Sequence, residues 1–498
     1  MNIPVSKSVS TVPDEDGQVS RRLVAIAAGA ALGGFLFGFD SAIINGTVDA
    51  VRQEFALAPT LLGFVVSCAL LGAGLGSWSA GICADRIGRV RTMVVASVLL
   101  TVSAIGSGLV VGVWDLIAWR FLGGVGIGFA SVIAPAYIAE ISPARIRGRL
   151  GSMQLLALVT GIFLAILTSA LLADLAGGAA QTLWLGLDAW RWMFIAETVP
   201  AIIYGILAVR LPESPRYLVN KDRIDEAGEV LRNVLALVDG AVDRKIREIR
   251  QTVNTERKQR FSDLLGGKYF FLPLVWVGIL LSVFQQFVGI NVIFYYSTTL
   301  WQSVGFQESD SFTISVITAV TNIVATLIAI SLIDKVGRRP LLLFGAATMT
   351  VSLFLMAVAF AQSTEVDNVM TLPSGWGAVA LIAANVFVVG FGASWGPVVW
   401  VLLGEMFPNR IRALALGLSA AAQWVANFAV STTFPPLAAL GLEYAYGLYG
   451  VFSLLALVFV WKMLPETKGR QLESMDELAT EDGRPNPKFH DSATAPAN

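Results

Sequence analysis

DRIGR at residues 85–89 is answered by DKVGR at residues 334–338. EISPARIR at 140–147 is answered by EMFPNRIR at 405–412, and PESPR at 212–216 by PETKGR at 465–470. Three pairs in one order, at offsets of about 250 residues, mean that the chain holds two copies of one unit. Between these short polar segments lie apolar runs at roughly 23–46, 60–82, 92–112, 115–139, 150–173 and 190–211. After a charged stretch they resume at roughly 270–297, 311–333, 340–361, 376–403, 412–434 and 444–464. Each is long enough to cross a hydrocarbon layer about 30 Å thick. The pattern predicts an all-α membrane protein whose twelve transmembrane helices form two six-helix bundles facing a central cavity, a geometry suited to alternating access.

Composition agrees and narrows the function. Of 498 residues 55% are apolar and 14% charged, against roughly 25% charged in soluble chains. A net charge of −1 gives no reason to expect a nucleic-acid partner. Cys68 and Cys83 are isolated and the single histidine, His490, lies in the polar tail, so neither a disulfide framework nor a metal site is expected. No phosphate loop or nucleophile elbow is present, and the reading is of a transporter without cofactor, not an enzyme.

The organisation follows. Residues 1–20 are a polar tail, 21–211 the first bundle, 212–268 a linker, 269–470 the second bundle and 471–498 a polar tail expected to be unstructured. The first apolar run, after Arg21 and Arg22, is too long for a signal peptide and reads as a retained span. The linker has helical apolar spacing at Val230, Leu231, Val234, Leu235, Ile246 and Ile249, which predicts short amphipathic helices under the membrane. Arginines and lysines collect in the even-numbered connections, which predicts both termini on the cytoplasmic side of the cell membrane. Small residues such as Gly72, Gly74 and Gly76 predict close helix packing. Asn45-Gly46-Thr47 matches a glycosylation sequon but sits close against the membrane.

Insertion topology alone would require only the positive charges of the paired motifs. It does not explain Asp85 and Asp334 four residues before Arg89 and Arg338, or Glu140 and Glu405 seven before Arg147 and Arg412. Opposite charges at repeated spacing predict ion pairs between neighbouring helix ends, a cytoplasmic clasp that parts when the cavity opens inward.

The connections resemble the sugar porter family of the major facilitator superfamily, over about residues 21–470. The resemblance rests on GGFLFGFDSAIING, GICADRIGR, RFLGGVGIG, PAYIAEISPARIRG and PESPRYL in the first half. QQFVGINVIFYY, DKVGRRPL, SWGPVVWVLLGEMFP and PETKGR carry it in the second. Val90, in place of a second arginine, and Ile330, where the repeat would put glycine, are small departures. The resemblance implies a mid-membrane sugar site built from Phe37, Gln154, Gln285, Gln286, Asn291, Asn322, Trp400, Gln423, Trp424 and Asn427, with Tyr295 and Tyr296 as an external gate. The chemistry agrees, because amides both donate and accept, as sugar hydroxyls do. An amide in a span often only bonds a neighbouring helix, but Gln285, Gln286 and Asn291 exceed that need within two turns. Gly289 beside them would let the helix unwind.

Asp40 in the first span and Arg120 in the fourth are charges inside the membrane. Each costs about 2.5–3.5 kcal/mol there unless it meets a partner or a cavity. A static tie between helices is the plainer reading; the preferred one is a proton switch at Asp40, tuned by Arg120, with Glu197 as a second acid. The resemblance supports the switch through bacterial proton-coupled members that carry an aspartate at this place. The expected function is symport of a monosaccharide, most simply a hexose such as glucose, with a proton, by a protein that works as a monomer. A uniporter with the same site and a membrane sugar sensor are the alternatives, and the short tail after PETKGR speaks against the sensor.

Overall fold

Twelve helices long and apolar enough to cross a bilayer form where the apolar runs predict them. They are Arg21–Gly46, Pro59–Ile87, Arg89–Gly108, Val113–Ile141, Gly148–Ala176 and Ala189–Arg210 in the first half. Pro273–Tyr295, Glu308–Ile333, Arg338–Phe360, Trp376–Met406, Leu414–Leu440 and Leu442–Met463 follow in the second, and all are numbered here as spans 1 to 12. The structure, a computed structural model, describes residues 21–143, 146–255, 261–266, 270–366, 369–373, 375–408, 410–464 and 466. The two tails lie outside the described residues, as do the side chains of Arg147 and Asp334.

The sequence repeat returns as a repeat of helix pairings. Span 1 packs on span 5, span 2 on span 4 and span 3 on span 6; in the second half span 7 packs on span 11, span 8 on span 10 and span 9 on span 12. The halves meet along two seams, span 2 against span 11 and span 5 against span 8, which exchange under the same repeat.

Lipid offers no hydrophobic drive between helices, so contact depends on how closely backbones approach. Spans 2 and 4 show this. A Cβ on Gly72 would stand 2.1 Å from the Phe121 carbonyl oxygen, and one on Gly124 would stand 2.0 Å from that of Ala69. Gly76 is at the same crossing, whereas Gly74 faces Trp424 across the seam.

Span 1 ends in a 3-10 turn over Ile44–Gly46, and three further spans depart from regular helix within their length. Span 7 breaks after Phe287 and restarts at Ile290, with Gly289 at φ +83° where a Cβ would strike the Tyr449 ring at 2.6 Å. Span 10 carries a π-helical turn over Phe391–Trp395. Span 6 is interrupted at Glu197.

The linker forms helices Pro215–Asn220, Ile224–Leu235 and Asp239–Thr255. Their apolar faces do not turn to lipid. Leu231, Val234 and Ile246 join a buried cluster with Ala84, Ile138 and Tyr217 at the basic end of the first half. Burial against protein, available directly beneath spans 2 and 4, takes the place of the membrane surface.

Candidate transport site

The break in span 7 decides the local geometry. Unwinding at Val288–Gly289 lets Gln285, Gln286 and Asn291 form one chain of amides instead of standing at fixed helical spacing. Gln285 Nε2 donates to the Trp395 carbonyl (2.8 Å), inside the π-turn of span 10. Gln286 Nε2 reaches Gln285 Oε1 (3.4 Å), and Asn291 Nδ2 donates to Gln286 Oε1 (2.6 Å). Trp395 is itself held by Nε1–H donation to the Leu342 carbonyl (3.0 Å). The irregular turn is therefore fixed on both sides.

This chain opens on a cavity of about 150 Å³ between the halves. Phe37, Gln285, Gln286, Asn291, Asn322, Trp400, Gln423, Trp424 and Asn427 all line it. Gln423 Oε1 has no protein partner, and Trp400 is half exposed. Phe37 and Trp424 touch across the seam at 5.6 Å between ring centroids. Such a lining, amides for hydroxyls and indole faces for apolar ring edges, fits a small polyhydroxylated solute.

Gln154 is not part of that lining. It lies within the first half, against Gly34, with its amide 3.5 Å from the Ser131 carbonyl oxygen. Ser41 and Thr326, not singled out from the sequence, do line the cavity. A short hydroxyl in an apolar span gives no pattern by which to find it.

Asp40 and Arg120 form an ion pair at 2.7 Å, with Asp40 1% and Arg120 2% exposed. The Glu197 carboxyl, also buried, sits against the same pair, and the Arg120 guanidinium lies 5.6 Å from the Phe194 ring. Arg120 Nε has no protein partner, and Asp40 Oδ2 and Glu197 Oε1 have none beyond the hydrogen-bond contact between the two carboxyls. Beside the pair is a second, small void of about 10 Å³, walled in part by Phe37, Ser41, Tyr295 and Trp424, the same residues that wall the large cavity. The buried charges and the amide cavity thus share one partition.

At the end away from the basic loops the halves are joined by hydrogen bonds. Thr298 N donates to Asn45 Oδ1 (3.0 Å) and Thr298 Oγ1 to the Asn45 carbonyl (2.6 Å). Thr299 Oγ1 donates to Asp49 (2.8 Å), and Ala179 N to Glu308 (2.9 Å). Asn45 is 1% exposed, and this burial leaves its sequon closed to modification in this form. Tyr295 lines the cavity just inside; Tyr296 is buried, donating to the Ser431 carbonyl (2.8 Å) and stacked near Phe434.

At the basic end Arg89 grips Glu140 with two hydrogen bonds (3.0 and 2.9 Å), and Arg338 grips Glu405 likewise (3.1 and 2.8 Å). Asp85 adds a bond to Arg89 (3.1 Å), and Arg412 Nε donates to the Phe407 carbonyl (2.9 Å). These described ion pairs join spans of one half, span 3 to spans 2 and 4 and span 9 to span 10. The third motif pair explains itself here. Glu213 accepts from the backbone of Arg89 and Val90, and Glu466 from that of Arg338 and Arg339. Each glutamate satisfies the open N–H groups at the start of a span.

The model of one transporter family covers this whole arrangement, matching residues 26–479 under the description "Sugar (and other) transporter". The chain belongs to that family. It is 53% identical to a glucose transport protein of Synechocystis over 468 residues, 94% of this chain and 99% of the relative. It is 35% identical to the D-xylose-proton symporter of Escherichia coli K12 over 494 residues, 92% and 96% of the two chains. Among solved structures, the inward-open xylose transporter of E. coli superposes with a TM-score of 0.78 at 35% identity, covering 92% of this chain and 99% of that one. The same symporter bound to 6-bromo-6-deoxy-D-glucose gives 0.74 at 36% identity, covering 93% and 100%. This transporter is therefore a twelve-helix protein of the major facilitator fold.

Proposed function

We propose that this transporter carries a monosaccharide, most simply a hexose such as glucose, across the cell membrane together with a proton by alternating access. The observation that carries the reading is the shared partition. A cavity lined by amides and tryptophans lies against a buried Asp40–Arg120–Glu197 cluster, so one local change is felt by both. The similarity to a glucose transport protein and to a xylose-proton symporter supports the sugar and the proton alike.

In this reading the cavity amides hold the sugar hydroxyls while Trp400 and Trp424 face the ring. Asp40 takes the proton, Arg120 sets how readily it is released, and Glu197 is the second acid of the cluster. Tyr295 and Tyr296 gate the end that the Asn45–Thr298 seam closes. The basic residues of the even-numbered connections support cytoplasmic termini, and the Arg89–Glu140 and Arg338–Glu405 pairs clasp neighbouring spans within each half on that side. Residues 21–211 and 269–470 would rock against each other, joined by 212–268. One chain supplies both halves and the cavity, which supports function as a monomer.

The test is uptake by purified protein in liposomes, with a panel of hexoses and pentoses, with and without an imposed proton gradient. Accumulation of a hexose above its outside concentration, only with the gradient, is expected. Equilibration without accumulation would make the protein a uniporter, and no movement of any sugar would overturn the reading entirely.

A further inference from the structure

The void beside Asp40 has a shape and lining that the transport reading does not use. Its volume of about 10 Å³ is close to the space a single water centre needs. Asp40 and Arg120 wall it, and Asp40 Oδ2 and Arg120 Nε have no partner other than the Glu197 carboxyl within hydrogen-bond reach of Asp40; buried polar groups of this kind are as a rule hydrogen-bonded. Most of the remaining wall is aliphatic, with Val66, Ala69, Leu70, Ala73 and Ile127. Hydroxyls come only from Ser41 and Tyr295, and both of these also line the large cavity. The Tyr295 hydroxyl lies within hydrogen-bond reach of Ser41 and Asn427.

We propose that this void is a water site and that the water, with Ser41 and Tyr295, forms the proton's route between Asp40 and the cavity. A sugar held at Asn427 and Trp424 covers the cavity end of that route and shuts the proton in. The proposal rests on the symport reading above and assigns its coupling to a place. On release, the Asp40 carboxyl passes its proton to the water oxygen while the water passes one of its own to the hydroxyl oxygen of Ser41 or Tyr295. That hydroxyl gives its proton to solvent in the cavity, and the carboxylate left behind stays paired with Arg120. Only O–H bonds are exchanged, and their number is conserved. The other titratable groups facing Asp40 are Glu197 of span 6 and Cys68 of span 2, whose thiol donates to the Val65 carbonyl (3.2 Å). Neither lines the void, so each acts on the pair from outside the route.

The experiment uses the full chain in liposomes with an entrapped pH dye, reading proton entry on sugar addition beside sugar counterflow, which needs no deprotonation. Ser41→Ala removes a relay hydroxyl, Ala69→Val fills the void from the opposite wall, and Ser41→Thr keeps the hydroxyl. Expected is a fall in proton entry of about tenfold or more in the first two, with counterflow retained in Ala69→Val, and recovery in Ser41→Thr. Unchanged proton entry in both Ser41→Ala and Ala69→Val would overturn the route and leave symport standing, with the proton leaving past Glu197. Proton entry and counterflow falling in step, in Ser41→Thr as well, would equally overturn it. A wild-type protein that moves sugar but no proton would overturn the symport reading itself and this route with it.

Discussion

The two halves repeat one pattern of helix pairs but fill their mid-membrane levels differently. In the first half the large buried polar side chains inside the spans include three charges, Asp40, Arg120 and Glu197, held in helix that is regular around them except for the interruption at Glu197 itself. In the second they are neutral amides, Gln285, Gln286, Asn322 and Asn427, and here the helices give way, at Gly289 and over Phe391–Trp395. The difference has a physical cause. A charge in a low-dielectric interior demands a fixed partner, which rigid helices supply. A solute with many hydroxyls demands several donors and acceptors converging on one point, which a straight helix presenting one face per 3.6 residues cannot easily provide. Duplication supplied two equal scaffolds; the burden each carries decided which one stayed regular.

The largest expected effect tests the charged half. Asp40→Asn should abolish pH-driven accumulation while exchange of sugar across the membrane survives, since asparagine copies a protonated carboxyl in size. Accumulation and exchange measured in the same vesicles at matched protein level decide it. If the pair is only a tie between helices, a stranded Arg120 costs about 3–5 kcal/mol and both activities fall with expression.

The amide half should respond next. Gln286→Ala removes the acceptor of Asn291 as well as a cavity group, and Trp400→Ala removes an exposed indole face. Each should weaken sugar binding, read by calorimetry in detergent, about three- to tenfold, the worth of a net hydrogen bond or slightly more. Gln154→Ala, its amide turned into the first half, should leave affinity nearly unchanged. A loss at Gln154 equal to that at Gln286 would erase the contrast between the halves.

Smaller still are effects at the basic end, where the halves are most alike. Glu140→Gln and Glu405→Gln should each raise labelling of cavity cysteines from that side about two- to fivefold, in keeping with partly exposed ion pairs. Unequal responses would show that the duplicated pairs have diverged in use. Smallest is a pH effect at the opposite end. Burial raises the pKa of Asp49 above the ordinary aspartate value, against the opposing hydrogen bond from Thr299 and the nearby Arg52. Protonation therefore favours the closed seam: closure gains at acid pH and loses that gain as pH rises through the raised pKa. Accessibility of Tyr295-adjacent cysteines from outside should fall on acidification, and Asp49→Asn should flatten the dependence.

The spans and the duplication were legible because apolar run length and motif spacing are local properties of the chain. So was the amide trio, since three amides in two turns are visible without knowing the fold. The orientation of Gln154 was not: where a residue on span 5 points depends on rotation about the helix axis, which a nearly uniform apolar span does not reveal. The π-turn over Phe391–Trp395 follows from the Gln285 and Leu342 contacts, far away in sequence. The same holds for Asn45 and Thr298, 253 positions apart, where the visible signal was a sequon and the actual use is a junction. In the linker the apolar faces were readable, but not that protein would cover them before lipid could.

The junction between Asn45, Asp49 and their threonine partners has a consequence for how easily the seam opens. Its bonds are mostly between uncharged groups, each contributing on the order of 1 kcal/mol net, so the whole closure is worth only a few kcal/mol. Swinging a two-state population from 1:99 to 99:1 takes about 5.5 kcal/mol of differential affinity. A closure of this strength lies within what one bound solute can offset. On these terms the seam can hold closed at rest and still yield to the binding of one solute.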